Sequence, residues 1–310
     1  MNVFLAYWNK EHFGYMNVIT PFLSAAGYNV AGICGKKDLA WLPSRSIDDC
    51  DFIIVWNGSF GFQRDNISII KSRIGARLLF AECGWFPGAP ISFSGKTMYL
   101  DRKGINAESE IRDFRPGPIS EQRTEALYKC LQACGPYERS TEKPENFTFV
   151  PLQVDSDTNI VSNSRFSNMQ EFVHFCEYYI NGPIVFKKHP RRRGDELQAR
   201  RSVIVSDVDT TSLVRNARQV VGINSTVLLE SLAIGKKVAA CGVGLFTNHN
   251  VVLECHSDYG RLNDIDAFEP PRNAINSFLY ELVFHRQIQL DSPEDSLREN
   301  RVFQEVFIGN

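Results

Sequence analysis

Two hydrophobic periodicities alternate along this chain. Apolar runs of strand length recur between longer segments whose apolar positions fall three and four apart. In the first half, residues 3–7, 28–33, 51–56 and 76–82 read as strands, with an amphipathic segment at 16–26 that Gly27 terminates and helical spacing over 67–74. Residues 97–101 add a short strand and 104–106 a turn, both expected on the same edge as the tip of the fourth strand. A connector at 113–117 precedes a helix over 119–134, with Ser120 as its cap, and the polar run 138–146 is the strongest linker signal. Beyond it the rhythm restarts, with strands at 147–153, 184–186, 202–205 and 219–223 and helices over 166–180, 210–217 and 227–234, the last ended by Gly235. This β-α-β order predicts an α/β protein with parallel sheets and helices on both faces. It divides the chain into domains at 1–140 and 141–290, with a C-terminal helix at 291–310 packing back on the first.

Composition narrows the class. With 310 residues and 43% hydrophobic content, two globular domains of ordinary size are expected. Lys and Arg number 34 against 36 Asp and Glu, a formal charge of −2, which gives no case for bulk nucleic-acid binding. No apolar run approaches the roughly 20 residues that span a bilayer, and the first residues read as a strand rather than a leader. The eight cysteines, at 34, 50, 83, 130, 134, 176, 241 and 255, form no CxxC pair. Reduced, buried thiols in a cytoplasmic protein are expected, without a metal site.

The candidate chemistry collects at strand tips. Lys187, Lys188 and His189 arrive at the end of one strand, just before Pro190 and Arg191-Arg192-Arg193. Asn224-Ser225-Thr226 follow another strand and open a helix, whose free N–H groups and dipole favour a phosphate, although Ser225 could equally be a simple cap. Glu230, one turn in, suits ribose hydroxyls or plain solvent. Glu82 ends a strand before Cys83-Gly84-Trp85-Phe86-Pro87-Gly88, where open α/β sheets place chemistry, or it caps loop N–H groups. Asp155 and Asp157 point the same way if the chain stays extended; nucleophile, general base, metal ligand and turn cap all remain open. The stripe Phe172, Phe175, Tyr178 and Tyr179 reads as core and cleft lining.

Pro151 to Ile160, Lys188-His189-Pro190, and Asn224-Ser225-Thr226 with Glu230 and Gly235 are together similar in order and spacing to capsular-polysaccharide biosynthesis glycosyltransferases. The group they most resemble is the retaining β-Kdo transferases, Kdo being 3-deoxy-D-manno-oct-2-ulosonic acid. Glu82-Cys83-Gly84 and Gly104-Ile105-Asn106 extend the resemblance weakly into the first domain.

The resemblance implies a GT-B arrangement of two Rossmann-like domains facing across a cleft, with CMP-Kdo as donor and neither cofactor nor metal. His189 and Ser225 would hold the phosphate with Lys188, Asn224 and Thr226 beside them, and Glu230 the ribose. Gln153, Asp155, Lys187 and Asn106 would contact substrate. Asp157, where the family places its acid, would be the nucleophile and Glu82 the acid/base. The acceptor would be a glycolipid, a growing capsule or a lipopolysaccharide chain, with peripheral association at the inner membrane. The basic cluster Arg191 to Arg193 with Arg200-Arg201 would meet the Kdo carboxylate, a lipid headgroup or water. Two rivals stand beside this reading: a transferase or epimerase of the same fold using a UDP or GDP sugar, and a non-catalytic glycan-binding protein.

Overall fold

The computed structural model describes residues 1–7, 9–34, 51–58, 61–86, 96–133, 145–155, 157–191 and 196–309, with the main chain alone at 33–34, 61–66 and 158–159. The chain forms two units, Met1–Ile111 with Tyr280–Asn310, and Arg112–Leu279. These differ from the divisions at 140 and 290 expected from composition. The helix Glu121–Ala133 belongs to the second unit, where the Tyr128 hydroxyl donates to Asn276 Oδ1 at 2.5 Å. Most of the polar run read as the linker, 138–144, lies outside the described residues. The chain instead changes unit at the connector signal near residue 113.

In the first unit, β1 (Asn2–Tyr7), β2 (Asn29–Cys34), β3 (Phe52–Trp56) and β4 (Leu78–Cys83) pair in parallel. β3 is buried over four of its five residues, as a strand covered on both faces must be. One helix was expected over 16–26, but two form, Lys10–Asn17 and Thr20–Ala25. Pro21 lacks an N–H to continue the first and sits where a new helix can start.

β5 (Thr97–Asp101) corrects the expectation of an all-parallel sheet, because it runs antiparallel to β4, with Glu82 opposite Tyr99 and Phe80 opposite Asp101. The sequence between the two strands holds Gly84, Pro87, Gly88, Pro90 and Gly95, residues that disfavour the crossover helix a parallel pairing needs. A strand from the C-terminal segment, Gln287–Gln289, pairs antiparallel with β5 and completes the order 287–289, β5, β4, β3, β1, β2. The expected C-terminal helix forms as three short helical segments, Pro293–Glu299, Arg301–Phe303 and Gln304–Ile308. Leu297, Val302, Phe303 and Phe307 from these segments bury against Val3, Leu5 and Leu79 of this unit's sheet core.

The second unit is a six-stranded parallel sheet of β6 (Thr148–Pro151), β7 (Ile184–Lys187), β8 (Val203–Val205), β9 (Gln219–Gly222), β10 (Lys237–Ala240) and β11 (Leu253–Glu254). Its order, β11-β10-β9-β6-β7-β8, is the doubly wound one, so the crevice outside the strand ends opens between β6 and β9. The helix Val227–Ile234 is apolar nearly all round and buried, and Gly235 ends it in the left-handed region, φ +90°. No helix among the described residues is long and apolar enough to cross a membrane.

Candidate active site

The crevice between β6 and β9 is built by a side-chain clasp. Buried Gln153, two residues past β6, donates from Nε2 to Asn224 Oδ1 at 3.1 Å and accepts from the Asn224 N–H at 3.4 Å. Asn224 Nδ2 in turn donates to the Val243 carbonyl at 3.1 Å. Both amides are thereby committed to each other and to main chain, and they fix the turn that carries Ser225. Ser225 Oγ accepts from the Val227 N–H at 3.3 Å, and its carbonyl from Leu228 at 3.0 Å, so it does cap the helix, while Thr226 at the helix start is exposed. Capping leaves the Ser225 O–H proton available to an anion, so the two readings of this residue are compatible.

His189 differs from the cation counted at its strand tip. Burial, with Arg191 and Lys187 adding to it, lowers its pKa, and the nearby charge of Asp157 only partly opposes this. Nδ1 accepts from the Arg191 N–H at 3.1 Å, so the neutral ring carries its proton on Nε2, a donor suited to a phosphate oxygen. Asp157 itself is half-buried at the start of the short helix Thr158–Asn163, where its carbonyl accepts from Ile160 at 3.0 Å.

Asp155 Oδ1 accepts from the Met169 N–H at 2.6 Å and so caps the helix Met169–Tyr179. Ser156 lies outside the described residues.

The lysines separate. Lys187 Nζ donates to Thr210 Oγ1 at 2.6 Å, and Lys188 pairs with exposed Glu196 at 2.8 Å, an ion pair weak enough to exchange for a ligand. Glu230 is half-buried, and its carboxyl is pushed up to about 7 by burial and then by Asp209, which caps the neighbouring helix Thr210–Asn216 through the Ser212 N–H at 2.7 Å.

Arg201 is structural. It donates to the carbonyls of Glu177, Ile180 and Gly182, closing the C-terminal end of the helix Met169–Tyr179, and the N–H groups of Arg200 and Arg201 bond to the Glu177 carboxylate. Arg192 and Arg193 lie outside the described residues.

In the first unit, Glu82 stands at the tip of β4. Its Oε1 accepts from the Cys83 N–H at 2.9 Å and its Oε2 from the Asn57 carboxamide. The loop that follows is pinned by buried Gln287, whose Oε1 accepts from the N–H groups of Trp85 and Phe86 at 2.9 and 3.0 Å and whose Nε2 donates to the Phe86 carbonyl at 2.9 Å. A Cβ at Gly84 would come within 2.8 Å of Gln287 Oε1 and 2.2 Å of Thr97 Oγ1, so only glycine lets the loop close there. Pro87 and Gly88 lie outside the described residues.

The antiparallel run of β5 carries Asp101 away from the tip where Glu82 stands, to a place opposite Phe80, while the Asn106 main chain hydrogen-bonds Tyr99, the residue opposite Glu82. Buried Asp101 organises a turn, accepting from the N–H groups of Lys103 and Gly104 at 2.8 and 3.1 Å.

Sequence reasoning missed Gln287, which has no local signal, and the side-chain part played by Asn57, whose Asn-Gly sequence marked only a turn. Among the described residues no three His, Cys, Asp or Glu gather as a metal site would require. Cys130, Cys176, Cys241 and Cys255 are buried free thiols and Cys83 is also a free thiol, while Cys50 and Cys134 lie outside the described residues and Cys34 is described by main chain alone.

Comparison with known families matches a model described as capsule polysaccharide biosynthesis protein to residues 132–291, just over half of the 310. The chain belongs to this family. It is similar to Protein FixF of Sinorhizobium fredii, 29% identical over 232 residues that make up 68% of this chain and 53% of FixF, so the match spans about half the length of that relative. Two solved structures from Thermosulfurimonas dismutans KpsC share the fold. Its β-Kdo 2,7 transferase is 15% identical with a TM-score of 0.59, covering 95% of this chain and 98% of that one. Its β-Kdo 2,4 transferase is 12% identical, also with a TM-score of 0.59, covering 89% of each. The architecture is therefore GT-B-like, with two Rossmann-like α/β units.

Proposed function

We propose that this chain transfers Kdo, or a related 2-keto sugar acid, from its CMP-activated donor to a glycan or glycolipid acceptor, with retention of configuration. The observation that carries the reading is the Gln153–Asn224 clasp, which fixes the Ser225 turn at the switch point of the second unit. His189 belongs to the same strand-end set. A donor phosphate would accept from His189 Nε2–H, the Ser225 hydroxyl and the helix N-terminus, with Lys188 drawn from its ion pair. These donors stand ready before charge develops on the leaving group, which is where they lower a barrier. CMP departs as a weak base, so neither a proton nor a metal ion is asked of this step.

Asp157 would attack the anomeric carbon as the bond to the CMP phosphate oxygen breaks, giving a glycosyl-enzyme ester and CMP. Glu82 would then take the acceptor hydroxyl proton as that oxygen displaces the Asp157 carboxylate. The acceptor and any peripheral membrane association are part of the proposal, supported by membership of a capsule polysaccharide biosynthesis family.

A thermal-shift panel of CMP, CDP, UDP and GDP tests the donor assignment. CMP at a hundred times its Kd should stabilise the protein by about 2.7 kcal/mol. A larger response to UDP or GDP would overturn it in favour of a different nucleotide sugar.

Glu230 makes a separate expectation. Because burial raises its carboxyl to about 7, its effect on stability favours the native state below the ordinary carboxylate range and is lost as pH rises through about 7. As the ionised form is the better ribose acceptor, CMP affinity measured by calorimetry should rise between about pH 6 and about pH 8. Glu230→Gln should weaken CMP about tenfold while raising the melting temperature above pH 7. Unchanged affinity in the variant would remove Glu230 from the ribose site.

A further inference from the structure

Resting on the assignment of Glu82 as the group that takes the acceptor proton, we infer that Asn57 is its positioning residue, holding the Glu82 carboxylate ionised and in one orientation from the tip of the adjacent strand. Asn57 follows β3, the parallel neighbour of β4, and its own N–H extends that ladder to the Ala81 carbonyl at 2.7 Å. Its carboxamide donates to Glu82 Oε2 while the Cys83 N–H donates to Oε1, so each carboxylate oxygen receives a donor. An ionised carboxylate only accepts, and donors aimed at it favour that form.

The backbone points the same way. Asn57 lies in the left-handed region at φ +66° and Gly58 at φ +80°. Glycine would take the first of these positions at lower cost, so what asparagine adds is its carboxamide. The sheet order β2-β1-β3-β4 also puts this tip at the first unit's own switch point, between β1 and β3, where such sheets bind ligands.

The other titratable groups around Glu82 are themselves displaced from their ordinary ranges. The Cys83 thiol is pushed up to about 12 by burial and then by the Glu82 charge. The Tyr15 hydroxyl is also pushed up to about 12, by burial, then Cys83, Glu11 and Glu82. Buried Tyr99 is raised by burial and by Glu82. His12, stacked on Trp56 at 4.8 Å, is lowered by burial against the opposing charge of Glu11. Lys96 pairs with Glu11 at 3.4 Å and lies 5.3 Å from the Tyr15 ring centre.

The test compares Asn57→Gly, which keeps the left-handed turn and removes the carboxamide, with Asn57→Asp, which sets a like charge beside Glu82. The Glu82 titration is followed by NMR of protein labelled at the glutamate carboxyl carbon and assigned by difference from Glu82→Gln. CMP-Kdo turnover with water as acceptor is followed in parallel. Asn57→Gly should move the Glu82 midpoint and the acid limb of turnover up by about one pH unit, tenfold in the acid constant, and Asn57→Asp by more. An unmoved midpoint in Asn57→Gly with Glu82→Gln inactive overturns the inference and leaves the role of Glu82 standing. Full turnover by Glu82→Gln removes that role and with it the function assigned to Asn57, whatever the midpoint does.

Discussion

Asp157→Asn should abolish transfer from CMP-Kdo while CMP still stabilises the protein. The substitution keeps shape and the main-chain bonds of the turn, Asp157 N–H to the Val154 carbonyl at 2.9 Å and Ile160 N–H to the Asp157 carbonyl at 3.0 Å, but removes the charge that would form the ester. Loss of a covalent nucleophile should lower turnover on the order of 10³-fold or more. Binding should survive because the phosphate donors His189 and Ser225 are held by other groups, the Arg191 N–H and the Val227 N–H. Asp155→Asn is the matched control. Its oxygen can still accept from the Met169 N–H, so turnover should stay within a fewfold of wild type and stability within about 1 kcal/mol. Near-normal turnover by Asp157→Asn, or collapse in Asp155→Asn alone, would reverse the assignment of the two acids.

Arg286→Met should cost about 3–5 kcal/mol of the first unit's stability. Arg286 is 2% exposed and donates from Nε to Glu281 at 2.8 Å and from Nη1 to Glu110, itself bonded by Arg102 Nε at 2.6 Å; Arg301 pairs with Glu281 at 2.9 Å. Glu110 and Glu281 lie beside the two points where the chain leaves and re-enters this unit, at Ile111 and Tyr280. The guanidinium thus fastens both ends of the inserted segment. Removing it strands two buried carboxylates with one arginine each. Burial alone would raise the Glu110 carboxyl, but Arg102 and Arg286 more than reverse this and hold it below its ordinary value. A depressed acid contributes stability above its unfolded pKa that is lost as pH falls through the native one. The deficit of Arg286→Met should therefore be largest near neutrality and shrink in acid. All four tryptophans fall within residues 1–111, so denaturant titration by tryptophan fluorescence reads this unit directly. A deficit below about 1 kcal/mol at neutral pH would show that the network is dispensable.

Much of the second unit could be read from one dimension. Its strands carry nearly unbroken apolar runs, its helices show their own spacing, and Gly235 marks a helix end that the left-handed φ requires. Lys187, His189 and Ser225 were legible because a strand tip followed by Pro190 or by a capping turn is a local signal. The first unit was less transparent. Its four parallel strands stood out, but the direction of β5 depends on how the chain turns between Cys83 and Thr97, and nothing in the apolar pattern encodes that sense. Asp101 was consequently expected at the same edge as Glu82 and instead stands opposite Phe80. Arg201 was left open to a ligand or to water because charge is visible in sequence and the Glu177, Ile180 and Gly182 carbonyls that bind it are not.

By itself the sequence determined the α/β class and which polar residues stand at strand tips, since these follow from hydrophobic period and from chain breakers acting within a few residues. Only the tertiary structure decided that Asp155 caps the helix Met169–Tyr179, that His189 is a neutral donor, and that Gln287, some 200 residues away, holds the loop after Glu82. Each of those outcomes rests on burial or on a hydrogen bond between segments far apart in the chain. Such energies exist only once distant backbone groups have been brought out of water and against one another.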